Sequence, residues 1–316
     1  MNGQVLIAAE LRELLNDVPI PGCDVTWLPS EEPTPSGEFV AVVPLLSRSL
    51  GVAELDRLPD LRVVANCAVG YDNIDLAAAL KCGVVVTNTP DVLTDATADL
   101  TWALILTIAR RLAEGWQLLR DGRWQGWHPT QLLGLELRGA TLGILGAGRI
   151  GRAVGERAVG FGLRVLYADP ARSLEFEERT GAEQLAVGEL LEQSDVVTVH
   201  VPSTASTKNM FNADLFARMK RGALFINTAR GDLVDETALL VALDSGQLGG
   251  AGLDVFQREP PSDLTLARHP KVTALPHIGS ATTTTRMAMA RLAVENAKAV
   301  LAGRSPLTPV SAAGAR

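Results

Sequence analysis

Three residues in the second half of the chain could together move a proton and hold an acid: Arg230, Glu259 and His277. Each follows a short apolar run that reads as a strand, at 224–227, 251–255 and 272–275. In open α/β sheets ligands bind beyond the carboxyl ends of the strands, so these runs would deliver a guanidinium, a carboxylate and an imidazole to one edge. The set suits hydride transfer to a 2-oxo acid. The imidazole can give the carbonyl its proton, the acid favours imidazolium, and the forked cation matches a substrate carboxylate. Taken singly, each residue has a plain structural role, and only their convergence carries the chemistry. His200, in VTVHVP, reads as a packed residue or a backbone contact near a cofactor, and His128 and His269 read as loop residues.

The elements that must position this trio include one with a specific pattern. An apolar run at 141–145 meets Gly146-Ala147-Gly148-Arg149-Ile150-Gly151, a helical pattern follows, and a second run ends in Asp169, 18 residues after Gly151. Gly146 suits the tight turn off the strand, Gly148 a close approach to pyrophosphate, and Gly151 close packing of helix on strand. The phosphates would sit on free N–H groups at the helix N-terminus. Asp169 can accept both adenosine-ribose hydroxyls and repels a 2′-phosphate, which favours NAD(H). Arg172, three residues on, keeps NADP(H) possible.

The remaining pattern is α/β. Strands are expected at 5–8, 25–28, 40–44, 61–67 and 84–86, with helices at 11–15, 52–58 and 74–81 between them, then one long helix from about 94 to 121. Such alternation argues a parallel sheet with helices on both faces. A tryptophan-bearing loop, GRWQGWHPTQLLG, follows the long helix. After Asp169, strands are expected at 196–201, 224–227, 251–255 and 272–275, and a last helix at 282–301 should return to the first sheet.

With 316 residues, 47% hydrophobic and 21% charged, the chain can fill two domains of an ordinary globular protein. A net charge of −7 offers no basic field for nucleic acid or an acidic membrane surface. Three cysteines, Cys23, Cys67 and Cys82, make no metal or disulfide framework and suit the cytoplasm. The opening MNGQVLIAAELRELL reads as a strand and a helix rather than a signal peptide, and no run is long enough for a membrane span.

Several motifs in order make the chain resemble the D-isomer-specific 2-hydroxyacid dehydrogenase family over nearly its whole length. They are residues 69–75 (VGYDNID), the GAGRIG fingerprint, 227–231 (NTARG), 252–256 (GLDVF) and 276–282 (PHIGSAT). The resemblance implies a Rossmann NAD-binding domain at 94–285, inserted into a flavodoxin-like substrate domain formed by 1–93 and 286–316. It implies that His277 donates the proton in reduction, that Glu259 pairs with His277 and raises its pKa, and that Arg230 binds the substrate. The N–H groups of Val69 and Gly70 would complete the carboxylate site, with Leu46 lining it. Asp254 would hold the nicotinamide carboxamide and Thr97 would touch the cofactor. Arg149, Ile150, Val201, Pro202, Thr228, Ala229 and Gly279 would complete the cofactor contacts, with His277. Formate dehydrogenases of the superfamily carry glutamine where Glu259 stands, so this chain departs from them.

Within the family the chain is most similar to glyoxylate/hydroxypyruvate reductases, through TPDVLTDATA, NCAVGYDNID and the Trp124/Trp127-His128-Pro129 loop. That likeness implies reduction of small 2-oxo acids, a homodimer formed at the tryptophan loop, and Trp127 as the residue that reaches a partner's substrate pocket or packs the interface. Many NADPH-preferring relatives lack an acid at Asp169. The alternatives are a D-3-phosphoglycerate dehydrogenase, with Arg48 as a phosphate contact, another D-2-hydroxyacid dehydrogenase such as one for lactate, or a non-catalytic NADH-sensing protein.

Overall fold

A computed structural model describes residues 3–15 and 20–310. The chain divides by contact into two units, Met1–Leu93 with Ser280–Arg316, and Thr94–Gly279. The sequence reading places the second crossing between them at about residue 286.

The first unit is built on strands β1 (Gly3–Ala8), β2 (Cys23–Leu28), β3 (Phe39–Val43), β4 (Val63–Ala65) and β5 (Val85–Thr87). They pair in parallel in the order β2-β1-β3-β4-β5, which is the flavodoxin-like order. The helix Thr283–Leu301 packs on β3 and β4. Met289, Ala290, Ala293, Val294 and Ala297 are buried at helical spacing, a stripe narrow enough for a close approach to the sheet. Thr282 caps its N-terminus by accepting the Thr285 N–H at 3.1 Å. Arg62 closes its other end, donating to the carbonyls of Val300 and Leu301 at 3.2 and 3.4 Å.

Arg48, the candidate phosphate contact, is buried and engaged. It donates to the carbonyls of Pro29 and Glu32 at 2.6 and 2.9 Å and to Thr34 Oγ1 at 3.3 Å, pinning a loop at 29–37 (PSEEPTPSG) that is rich in Pro and Ser.

The second unit carries β6 (Thr141–Leu145), β7 (Arg164–Ala168), β8 (Glu183–Gln184), β9 (Val196–Val199), β10 (Ala223–Asn227), β11 (Leu248–Leu253) and β12 (Val272–Ala274). Their parallel order, β12-β11-β10-β9-β6-β7-β8, is the Rossmann order extended by one strand. Side chains alternate between two cores, as a pleat of period two requires. Val165 and Tyr167 of β7 join Leu142, Ile144, Leu104 and Val154 on one face. Leu166 and Ala168 join Leu190, Val197, Phe225 and Leu239 on the other.

The single long helix expected from about 94 to 121 is in fact two, Thr94–Ala109 and Leu112–Arg120. Arg111 between them is left-handed, with φ at 52°. The Ala109 carbonyl, instead of continuing the helical ladder, accepts the N–H of Leu135 at 2.8 Å. A contact from a distant loop therefore ends the helix where no proline or glycine stands. On the second helix Leu112, Trp116 and Leu119 share one face and are exposed, as are Trp124 and Trp127 on the loop that follows.

Candidate active site

The glycine fingerprint lies at the carboxyl end of β6. Gly146 has φ at 90°, and a side chain there would strike the His200 carbonyl and the Val201 N–H at the end of β9. A side chain at Gly151 would overlap the Gly146 carbonyl, so helix Arg149–Gly160 rests directly on the turn. Gly148, the N-cap, faces open space instead. Arg149, Ile150 and Gly151 form the first turn of this helix, and a helix N-terminus suits an anion. Asp169, just past β7, accepts the N–H of Ala147 at 2.9 Å and that of Ala171 at 3.0 Å. A carboxylate has about four acceptor positions, so room remains for ribose hydroxyls. The cradle and its donors fit a dinucleotide.

The proposed proton donor sits on a turn wound around one buried acid. Asp254, just after β11, accepts the N–H groups of Ile278 and Gly279 on its two carboxylate oxygens, both at 2.7 Å. Its own carbonyl accepts the N–H of His277 at 2.9 Å. These bonds hold His277 in a left-handed conformation, φ 52°, that is uncommon outside glycine. Burial pushes the Asp254 carboxyl above its ordinary value, against the pull of those N–H groups and of His277.

His277 Nδ1 lies 2.6 Å from Glu259 Oε2. The other Glu259 oxygen accepts the Phe256 N–H at 3.1 Å. Burial tends to raise the Glu259 carboxyl, but the hydrogen bond and charge of His277, the Phe256 N–H and the charge of Arg230 outweigh it and hold it below its ordinary value. Arg230, half-buried after β10, donates through Nη1 to the Ala229 carbonyl at 2.8 Å. Asn227 organises this loop, donating to the Arg230 carbonyl at 2.7 Å and accepting the Ala229 N–H at 3.0 Å.

Thr97 lies beside this turn, since a side chain at Gly279 would come within 3.2 Å of Asp254 Oδ2 and 3.5 Å of Thr97 Oγ1. Thr228 is tied to the same helix, its hydroxyl 2.9 Å from that of Thr101. Val201 is half-buried after β9, and the Pro202 carbonyl accepts the Thr207 hydroxyl at 2.8 Å. His200 bonds Thr198 Oγ1 at 3.0 Å, and desolvation pushes its imidazole down to about 3, so it is neutral. In the other unit, Leu46, Val69 and Gly70 are half-buried. The carbonyls of Val69 and Gly70 each accept a side-chain amide at 2.8 Å, from Asn88 and Asn66. Trp127 is 83% exposed.

Sequence reasoning missed the bracing groups. Asn227 and Gly231 stood inside a quoted motif without a role of their own. Gln257 donates to the Val234 carbonyl at 2.6 Å and to Asn209 Oδ1 at 3.0 Å, while its N–H meets Glu236 at 2.8 Å. No local pattern marks partners so far apart in the chain.

The profile of the D-isomer specific 2-hydroxyacid dehydrogenase NAD binding domain matches residues 102–279. A glyoxylate reductase of Korarchaeum cryptofilum is 47% identical over 268 residues, covering 84% of this chain and 81% of the relative. An NADPH-dependent glyoxylate/hydroxypyruvate reductase of Sinorhizobium meliloti, solved with NADP and malonate, superposes with a TM-score of 0.88 at 36% identity, covering 98% of this chain and 97% of that one. A D-lactate dehydrogenase of Aquifex aeolicus, solved with NAD and lactic acid, superposes at 0.84 with 30% identity, covering 95% and 96%.

Proposed function

The chain belongs to the D-isomer specific 2-hydroxyacid dehydrogenase family, and from that premise we propose that it reduces glyoxylate and hydroxypyruvate to 2-hydroxy acids, of D configuration where a stereocentre forms, with NADH preferred over NADPH. The observation that carries the reading is the 2.6 Å contact between His277 and Glu259, at the strand edge that also bears Arg230. A nicotinamide cofactor, when bound, supplies the hydride for the 2-oxo carbon. His277 gives its Nε2 proton to the carbonyl oxygen as that oxygen gains charge, and takes it back in the reverse direction. Glu259 holds the ring by Nδ1 and offsets the imidazolium charge. Arg230 is the proposed receiver of the substrate carboxylate. The N–H groups of Val69 and Gly70, and the Leu46 side chain, are the remaining proposed substrate contacts.

The cofactor would lie on the fingerprint, its phosphates on the N–H groups of Arg149, Ile150 and Gly151 and its adenosine ribose on Asp169. Thr97, Val201, Pro202, Thr228, Ala229, Asp254 and Gly279 are the remaining proposed contacts. The arginine considered for a phosphorylated substrate, Arg48, is occupied by three protein acceptors, which favours the unphosphorylated acids.

The exposed stripe of Leu112, Trp116 and Leu119, with Trp124 and Trp127 beside it, supports a homodimer, since large apolar groups gathered on one surface are costly in water. Trp127 is the residue proposed to reach the partner. Among the described residues no helix is long and apolar enough to cross a membrane. The three cysteines are free, which agrees with a cytoplasmic location.

The test is NADH and NADPH oxidation by the purified protein against glyoxylate, hydroxypyruvate, pyruvate and 3-phosphohydroxypyruvate. The highest kcat/KM should fall on the first two acids with NADH. Preference for the phosphorylated acid would replace this reading. Light scattering on the same sample should give twice the chain mass.

A further inference from the structure

Asp169 and Arg172 share the turn after β7, and they act on an adenosine ribose in opposite senses. The acid repels a 2′-phosphate, whereas a guanidinium within reach attracts one. In this turn the guanidinium is already engaged. Arg172 Nε donates to both oxygens of Glu177, at 2.9 and 3.1 Å, and Nη2 donates to Oε2 at 2.7 Å.

Glu177 is in turn fixed from below. Its side chain is only 15% exposed, and Oε1 accepts the Tyr167 hydroxyl at 2.7 Å. The Tyr167 ring is fully buried and packs edge-on against Phe176, and its hydroxyl also accepts the Ser173 N–H at 3.0 Å. Tyr167 lies on β7, two residues before Asp169. The strand, the acid and the holder of the arginine therefore form one braced piece.

We propose that Glu177 determines cofactor specificity by sequestering Arg172, so that the turn presents Asp169 to the ribose and withholds the cation that a 2′-phosphate needs. This rests on the reading of Asp169 as the ribose-binding acid. Glu177 touches no cofactor atom in this scheme and acts through Arg172 alone. A forked pair to a half-buried carboxylate competes with a phosphate approaching from solvent, because the geometry is set before the ligand arrives.

Calorimetric binding of NADH and NADPH separates the possibilities. Glu177→Gln keeps an oxygen for the Tyr167 hydroxyl and removes the charge that holds Arg172. It should lower the ratio of the NADPH Kd to the NADH Kd about fivefold, the order expected for release of one partly exposed ion pair. Adding Arg172→Ala to that variant should return the ratio to its starting value. Arg172→Ala alone, a change at an exposed side chain, should leave the ratio where it began. An unaltered ratio in Glu177→Gln, a gain that survives loss of Arg172, or a rise in the ratio for Arg172→Ala alone would each overturn the latch. NADH binding intact with any of these results would leave the cofactor reading standing. Absence of binding of either dinucleotide to the unmodified chain would overturn both.

Discussion

Gly231 and Phe256 lie backbone against backbone, so close that a methyl group on Gly231 would overlap the Phe256 carbonyl. The contact keys the loop bearing Arg230 to the loop bearing Glu259. Gly231→Ala should therefore push Phe256 and Gln257 aside and carry Glu259 away from His277. Kcat for glyoxylate should fall about 100-fold, the scale of an ångström-sized misplacement. Binding of NADH should persist by calorimetry. A turnover near that of the unmodified chain would disprove the coupling.

Removal of the Glu259 charge should move the pH profile. Its carboxyl is held below the ordinary value, so its contribution to the fold is complete above about pH 4.3 and is lost as the pH falls through the lower folded value. At neutral pH it is a carboxylate beside His277. Glu259→Gln should cut the reduction rate at pH 7 by about 100-fold and shift the alkaline limb of kcat/KM to lower pH. A profile of unchanged shape would sink the pairing role.

His200 should make the fold acid-sensitive. Its imidazole is pushed down from 6.5 to about 3 in the folded chain, so the unfolded chain takes up the proton first. Stability from the neutral ring is full above pH 6.5 and drains away as the pH falls toward 3. Melting temperatures followed from pH 7 to pH 4 should decline less steeply for His200→Asn than for the unmodified chain. Parallel declines would rule this out.

Arg48 should matter to the fold and not to substrate choice. Arg48→Met strands the Pro29 and Glu32 carbonyls and should lower unfolding free energy by about 3 kcal/mol in urea titrations. The preference between glyoxylate and 3-phosphohydroxypyruvate should stay as it was. A selective change toward or away from the phosphorylated acid would return Arg48 to the site.

Much of this architecture is legible in the sequence because its signals are local. The glycines at 146, 148 and 151 sit in the turn they specify, and strand β7 reads as an unbroken apolar run because both of its faces meet a core. The order Arg230, Glu259, His277 could be read because each follows a strand. What could not be read depends on partners distant in the chain. Leu135 breaks the helix at Ala109, the Asp254 carboxylate winds the turn at residues 277–279, and Phe256 forbids a side chain at Gly231. Strand β8, two residues long, carries too little pattern to stand out. Arg172 and Glu177 were each visible as charges, but their pairing needed the hydroxyl of a buried tyrosine.

The helix Thr283–Leu301 covers β3 and β4, yet the whole of Thr94–Gly279 is synthesised between them. On a ribosome adding about 5–20 residues per second, the sheet begun first waits roughly 10–40 s for its cover. The inserted unit meets no such delay, because all its strands and the helices between them emerge in one stretch. Nascent chains should thus carry a finished nucleotide fold beside an apolar sheet still open to solvent. That interval, rather than the mature protein, is where association with chaperones or with other nascent chains has its opportunity.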